Sequence, residues 1–188
     1  YCSGGGDEAC KTALINVMAG TVRAAGGACR WEGRDVRCLA AHQGRVMGIS
    51  PVFQEFSLVP DMTIEENLFL GREITAGGIL SSRAMAKRAQ DVIDELGFHL
   101  DPKKKVRELS RAHQQMTEIA KALMGNVRLL ILDEPTASLT EAETVRLFAL
   151  IARLKSENVG IIYVSHRMRE IKQLGDRITV LRDGRLIK

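Results

Sequence analysis

The chain has 188 residues, of which 45% are hydrophobic and 27% are charged, and its formal net charge is +4. A chain of this length fits one domain with a sizeable buried core, and its composition is ordinary for a globular protein. Aromatic residues make up 4% of the chain and do not interleave with the basic residues. We therefore expect no nucleic-acid partner. No apolar run approaches the roughly 20 residues that span a bilayer, and no signal peptide is recognisable.

The start of the chain reads YCSG rather than beginning with methionine. We therefore expect the chain to be a fragment of a longer protein. The four cysteines all lie in the first fifth and form no C-x-x-C pair, which favours reduced thiols in a cytosolic protein over metal ligands. They are Cys2, Cys10, Cys29 and Cys38.

The first quarter predicts short elements separated by glycine-rich turns. A helical pattern covers residues 11–19, and residues 28–36 predict a small hairpin around the turn Glu32-Gly33-Arg34. A strand follows at residues 48–53. Pro51 lacks the amide that a central strand would donate, so we expect this strand at a sheet edge or at a break.

The middle of the chain predicts three helices. The first begins at Thr63, which has capping-box spacing with Glu66. The second covers about residues 81–96, and the third begins at Ser110 and continues to about residue 124. Residues 62–125 are therefore predicted to be almost entirely helical and to form an insertion in the sheet.

The last third alternates strands with helices. Strands are predicted at 129–133, 160–164 and 177–182, helices at 141–156 and 167–174, and a turn at Asp183-Gly184. Such alternation forms βαβ units and a mostly parallel sheet. The expected fold class is therefore α/β: a single domain, 1–188, with a mostly parallel sheet flanked by helices and a helical subdomain at about 62–125.

An acidic pair and a histidine follow two of these strands. Asp133 and Glu134 end the apolar run in LLILDEPTASLT, and His166 follows IIYV. Ligands of parallel sheets bind beyond the carboxyl ends of the strands. Asp133 could hold magnesium on a phosphate, while Glu134 could orient or deprotonate an attacking water. An isolated acidic pair before Pro135 would be a solvated turn and an isolated histidine a structural residue, but the continuation PTASLT favours nucleotide hydrolysis.

Five motifs in order along the chain resemble those of ATP-binding-cassette ATPases. VFQE resembles the Q-loop, LSRAHQQM the signature, LLILDEPTASLT the Walker B segment and D-loop, VSHR the switch histidine, and VLRDGRLI the closing strands. The segments FQEFSLVPDMTIEENLFLGRE, QQMTEIAKAL and DEPTASLTEAE resemble in particular the first cassette of bacterial monosaccharide importers of the ribose, galactose and xylose type. The resemblance extends from about Met18 to Lys188.

This resemblance implies a P-loop NTPase fold whose N-terminal strands precede residue 1, with ATP and Mg²⁺ as cofactors. Gln54 would contact the magnesium and the attacking water and relay the nucleotide state to transmembrane permease subunits. Ser110 would act in trans on nucleotide held by a second cassette. His166 would bond the γ-phosphate and hold the water with Glu134. A periplasmic sugar-binding protein would act indirectly, and the location would be the cytoplasmic face of the bacterial inner membrane.

The place of the phosphate-binding loop, G-x-x-x-x-G-K-[ST], is taken by Gly5-Gly6-Asp7-Glu8-Ala9-Cys10-Lys11-Thr12. Gly5, Lys11 and the magnesium-binding hydroxyl of Thr12 are retained. Cys10 replaces the glycine before the lysine, and Asp7-Glu8 stand where the family has Asn-Gly. A carboxylate about 5 Å from a phosphate charge would cost roughly 3 kcal/mol at an effective dielectric near 20, which is about a hundredfold in affinity.

The signature keeps Ser110 but replaces both of its glycines, by Arg111 and Ala112, and has His113 in place of glutamine. Thr140 takes the place of the D-loop aspartate, as in the sugar-importer branch. Three functions stay open: an ATPase subunit that powers sugar import, a degenerate cassette that supports an active partner, and a soluble cassette protein of translation or DNA repair. The lack of a coiled-coil insertion and of a basic aromatic surface counts against the third.

Overall fold

The computed structural model describes residues 7–36, 40–76, 79–182 and 185–187. The chain divides into two compact units. The first unit comprises Tyr1–Pro51, Val127–Glu134 and Asn158–Lys188, and the second comprises Val52–Asn126 and Pro135–Glu157. The segment 62–125 that was predicted to be a helical insertion falls within the second unit. None of the helices described is both long enough and apolar enough to cross a membrane.

The elements are numbered in chain order. The helices are α1 Asp7–Met18, α2 Ala41–Val46, α3 Ile64–Phe69, α4 Ser82–Glu95, α5 Arg111–Ala122, α6 Glu141–Ser156 and α7 Met168–Leu174. The strands are β1 Arg30–Trp31, β2 Arg34–Asp35, β3 Ile49–Val52, β4 Thr75–Ala76, β5 Ile79–Leu80, β6 Leu129–Asp133, β7 Gly160–Val164, β8 Leu181–Arg182 and β9 Arg185–Leu186.

The central sheet has the strand order β3-β6-β7. Strands β6 and β7 are parallel, and their register runs from Leu129 opposite Gly160 to Asp133 opposite Val164. The three middle residues of β6, Leu130 to Leu132, are fully buried, as expected for a strand covered on both faces. Among the described strands β3 lies at the sheet edge, which confirms the position predicted from Pro51. The expected α/β class with a parallel sheet is therefore confirmed.

The predicted hairpin near residue 30 is confirmed. Strands β1 and β2 are antiparallel, with Trp31 opposite Arg34. The two residues between them, Glu32 and Gly33, have φ values of 50° and 79°. Positive φ at both central residues is the backbone of the two-residue turn that best matches strand twist.

The second unit is built around α3. Thr63 caps this helix by accepting a hydrogen bond from the Glu66 amide, and the Glu66 carboxylate accepts from the Thr63 amide, which confirms the predicted capping box. Helix α3 packs against α4 and α5, with fully buried Ile64 and Leu68. Buried Asn67 bonds both the amide and the carbonyl of Val59, so the polar side chain replaces backbone partners for the loop before the helix.

Two of the predictions for individual elements are wrong. Strands β4 and β5 form an antiparallel hairpin inside the segment predicted to be helical, because β-branched residues there flank a Gly-Gly pair. The strand predicted at 177–182 is reduced to Leu181–Arg182, paired antiparallel with β9. Residues 177–180 form no ladder with any other described strand, since β propensity alone makes no strand without a partner. The turn predicted at Asp183-Gly184 lies outside the described residues.

Candidate active site

The parallel register of β6 and β7 brings two strand ends to the same edge of the sheet. Asp133, the last residue of β6, stands opposite Val164, the last residue of β7. The Glu134 amide then donates to the Val164 carbonyl at 3.0 Å. Glu134 has a φ of +45°, so the chain leaves the sheet there in a left-handed conformation that is uncommon outside glycine.

The side chains of Glu134 and His166 meet at this edge. His166 Nδ1 lies 2.8 Å from Glu134 Oε1. Because an ionised carboxylate can only accept, Nδ1 carries the proton and donates it, which leaves Nε2 for another partner. The imidazole is 63% exposed and the Glu134 side chain 17% exposed. A ligand can therefore reach a histidine whose tautomer is set by a partly buried carboxylate.

The chain just before His166 is held by a residue that the sequence did not indicate as functional. The carboxylate of Glu170, in the first turn of α7, accepts hydrogen bonds from the hydroxyls of Tyr163 and Ser165, each at 2.8 Å. Glu170 is 6% exposed. The sequence feature that could have pointed to Glu170 is an acidic residue in the first turn of a predicted helix, four residues after the candidate histidine.

The candidate magnesium ligands in the first unit are the carboxylate of Asp133 and the hydroxyl of Thr12. The Asp133 side chain is 6% exposed at the end of β6, and Thr12 is exposed on α1. No three His, Cys, Asp or Glu side chains within the described residues group closely enough to bind a metal by themselves. Mg²⁺ beside a nucleotide usually takes one or two carboxylates and completes its shell with phosphate and water oxygens. The donor chemistry therefore fits this ion.

The candidate phosphate-binding segment differs from its predicted form. Helix α1 begins at Asp7, four residues before the predicted start at Lys11, so Asp7 to Cys10 lie in its first turn rather than in a loop. Gly5 and Gly6 lie outside the described residues. Acidic residues are favourable in a first helical turn and alanine is the best helix former, while the glycine that would interrupt the helix is absent. These residue types thus favour a helix that begins at Asp7.

Gln54 and Ser110 belong to the second unit. Gln54 is exposed just beyond β3. Ser110 caps α5 by accepting a hydrogen bond from the His113 amide at 3.2 Å, which confirms the predicted helix start. Arg111, the first residue of α5, places its guanidinium 4.1 Å from the centre of the Phe56 ring. This cation–π contact joins the start of α5 to a residue two positions after Gln54.

The segment after Gln54 is also fixed to α5 by a second group of side chains. Glu118, 8% exposed, accepts hydrogen bonds from the amide and the hydroxyl of Ser57. Lys121 Nζ donates to the Ser57 carbonyl at 3.2 Å. Within the second unit, Gln54 and Ser110 are therefore carried by elements that are bonded to each other.

Comparison with known proteins identifies related sequences over nearly the whole chain. The sequence profile of the ABC transporter family matches residues 5–137. A ribose import ATP-binding protein of Rubrobacter xylanophilus is 44% identical over 97% of this chain and 37% of its own length. One of Lactococcus lactis subsp. cremoris is 45% identical over 97% of this chain and 37% of its own length. The chain thus spans just over a third of the length of these relatives.

Solved structures share the fold. A nucleotide-free ATP-binding cassette from an ABC transporter is 24% identical, with a TM-score of 0.79 over 95% of this chain and 74% of that one. A dimeric ATP-binding cassette in a post-hydrolysis state, bound to ADP and phosphate, is 24% identical, with a TM-score of 0.82 over 95% of this chain and 78% of that one. At this identity the likeness concerns the fold.

Proposed function

The chain belongs to the ABC transporter family, and from that premise we propose that it is an ATP-binding and ATP-hydrolysing cassette that powers sugar import through a membrane transporter. The observation that carries the proposal is the 2.8 Å contact between His166 Nδ1 and Glu134 Oε1 at the ends of two parallel strands. The names of the relatives, ribose import ATP-binding proteins, support a monosaccharide as the cargo.

Hydrolysis of ATP by this chain would depend on positioning and charge stabilisation rather than on covalent chemistry. Glu134 would accept a hydrogen bond from the attacking water and take its proton as the water oxygen bonds to the γ-phosphorus. The bond from the γ-phosphorus to the β–γ bridging oxygen would break at the same centre, so that ADP leaves. Nδ1 of His166 would keep the Glu134 carboxylate in place, while Nε2 would bond a γ-phosphate oxygen. Lys11 would offset the phosphate charge.

Magnesium, when bound, would neutralise charge on the phosphate oxygens. Asp133, Thr12 and Gln54 are the residues that would hold it, each through an oxygen, which is the donor type that Mg²⁺ prefers. The buried position of Asp133 suits a carboxylate whose charge is compensated by a bound cation.

Partners follow from the same proposal. The chain would work at the cytoplasmic face of the bacterial inner membrane with transmembrane permease subunits and a second cassette, and indirectly with a periplasmic sugar-binding protein. Ser110 would close on nucleotide held by the second cassette. The free amides at the start of α5 and its N-terminal dipole suit an incoming phosphate. The dimeric cassette structure supports this pairing.

Glu134→Gln tests the proposed base. The amide keeps the shape of the side chain but cannot take a proton, so we expect the rate of phosphate release to fall by about 10²-fold or more. ATP affinity should change little. The two quantities are measured by a phosphate-release assay and by equilibrium ATP binding with magnesium.

Glu141→Gln is the matched control, because Glu141 is an exposed glutamate in the first turn of α6 and makes the same change in charge. It should hydrolyse ATP at the rate of the unaltered chain. Unchanged turnover in Glu134→Gln would remove Glu134 as the base.

The second candidate function is a degenerate cassette that supports an active partner. The carboxylates of Asp7 and Glu8 favour it, since their charges would repel a phosphate at the start of α1. A folded chain that binds no ATP at millimolar concentration would establish this alternative. ATP binding followed by hydrolysis that depends on Glu134 would exclude it.

A further inference from the structure

The Glu170 carboxylate makes its contacts on the short segment that contains His166. Its Oε2 accepts from the hydroxyls of Tyr163 and Ser165, both at 2.8 Å, and its Oε1 lies 3.4 Å from Arg167 Nη1. Ser165 and Arg167 are the two chain neighbours of His166. A carboxylate that is 6% exposed is stable only with such donors, so the carboxylate and the segment stabilise each other.

The start of α7 also departs from the usual pattern of helix capping. Glu170 stands three residues after the N-cap residue, Arg167, whose side chain makes no cap hydrogen bond. A glutamate at this position usually accepts from the N-cap amide. Here the Arg167 amide donates to the Ser165 hydroxyl oxygen at 3.0 Å, and that hydroxyl donates to Glu170. The hydroxyl of Ser165, the residue before His166, therefore connects the N-cap amide to the Glu170 carboxylate.

We propose that Glu170 is a positioning residue that fixes the direction of the His166 side chain toward Glu134. This inference rests on the proposed function of the Glu134–His166 pair. The imidazole is 63% exposed, so packing does not select its rotamer. Holding the backbone on both sides of His166 sets the direction of its Cα–Cβ bond, and a single hydrogen bond to Glu134 is then enough to complete the orientation.

The test compares Glu170→Gln and Ser165→Ala with Gln173→Ala, a control at an exposed position of the same helix. The first readout is the ring-nitrogen NMR spectrum of His166 in the chain without nucleotide, assigned with His166→Gln. We expect the unaltered chain and the control to show the Nδ1-protonated tautomer. Glu170→Gln and Ser165→Ala should shift both ring signals toward those of a free imidazole, which prefers the other tautomer.

The second readout is steady-state hydrolysis. Because Glu170 orients His166 without contacting nucleotide itself, Glu170→Gln should lower kcat about tenfold and leave KM for ATP within about twofold. Glu170→Asp, which keeps the charge, should recover part of the kcat. A residue that served stability alone would lower the melting temperature without moving the His166 ring signals.

Two failures are distinguishable. If Glu134→Gln hydrolyses ATP normally, the proposed function fails, yet the NMR readout still decides whether Glu170 orients His166. If the His166 signals of Glu170→Gln and Ser165→Ala superimpose on those of the unaltered chain, the inference is overturned whatever the hydrolysis rate. Should Glu170→Gln not fold, Ser165→Ala and Tyr163→Phe, which each remove a hydroxyl that donates to Glu170, give the same decision.

Discussion

Glu134 holds a left-handed backbone conformation, with φ at +45°, although it has a long side chain. This conformation costs about 1–2 kcal/mol for a non-glycine residue and persists only where the surroundings hold it. Here the amide is bonded to Val164 and the side chain to His166. A glycine would relax the backbone but would delete the carboxylate. The retained strain therefore supports a functional role for this side chain.

At the same residue scale, the substitutions in the phosphate-binding segment predict weak nucleotide binding. Replacing Asp7-Glu8 by Asn-Gly and Cys10 by Gly removes two negative charges and two Cβ atoms from a backbone that would contact phosphate. We expect the Kd for ATP to fall at least tenfold, since one carboxylate near a phosphate charge costs roughly 3 kcal/mol before screening. Calorimetry with magnesium measures the change.

The control variant carries Glu141→Gln, at the start of α6, and Glu157→Gln, at its C-cap. It also removes two negative charges, but away from the phosphate-binding segment, so the Kd for ATP should stay unchanged. Micromolar ATP binding by the unaltered chain would show that the electrostatic argument is wrong.

At the scale of elements, Thr140 has a structural role at the start of α6. Thr140 is the N-cap of this helix, and its hydroxyl accepts from the Glu143 amide at 3.3 Å. The Glu143 carboxylate accepts from the Thr140 amide at 2.8 Å. That amide bond is the largest cause of the lowered pKa of Glu143, with smaller contributions from the Thr140 hydroxyl, His113 and Arg146. The capping box therefore depends on pH.

Glu143→Gln tests this dependence. A carboxyl with a lowered pKa stabilises the fold above its ordinary pKa of 4.5, and this stabilisation is lost as the pH falls through the lowered value. We expect the variant to unfold about 0.5–1 kcal/mol more easily at pH 7, and the difference from the unaltered chain to vanish in acid. Urea denaturation at several pH values measures it, with Glu141→Gln as the control outside the box. A difference independent of pH would contradict the prediction.

At the scale of the whole molecule, the candidate residues are divided between the two compact units. Asp133, Glu134 and His166 belong to the first unit, and Gln54 and Ser110 to the second. Within the second unit, the contacts of Ser57 with Glu118 and of Arg111 with Phe56 join the segment after Gln54 to the helix that Ser110 caps.

The proposed action of Ser110 in trans predicts nucleotide-dependent dimerisation. With Glu134→Gln, which preserves bound ATP, we expect the mass in solution to rise from 20.7 kDa to twice that value on adding ATP and magnesium. Size-exclusion chromatography with light scattering measures it, and ADP serves as the control ligand. A chain that binds ATP and keeps its monomer mass at high protein concentration would argue against the trans role.

The sequence by itself determined the elements whose signals are local. The apolar runs of β6 and β7 and the capping residues Thr63 and Ser110 predicted where strands and helices begin, because periodicity and caps act within a few residues. Helix α1, in the candidate phosphate-binding segment, is the exception. Its start at Asp7 depends on the helix propensity of residues that the sequence analysis had placed in a loop.

Only the tertiary structure decided which side chains meet. Glu134 and His166 are 32 residues apart, and their contact depends on the parallel register that aligns the ends of β6 and β7. The role of Glu170 likewise became visible only through its burial and through hydroxyls contributed by β7 and the turn after it. Strand pairing and burial are properties of the packed chain. The order of residue types could therefore indicate the acidic pair and the histidine as candidates, but it could not show which side chains orient them.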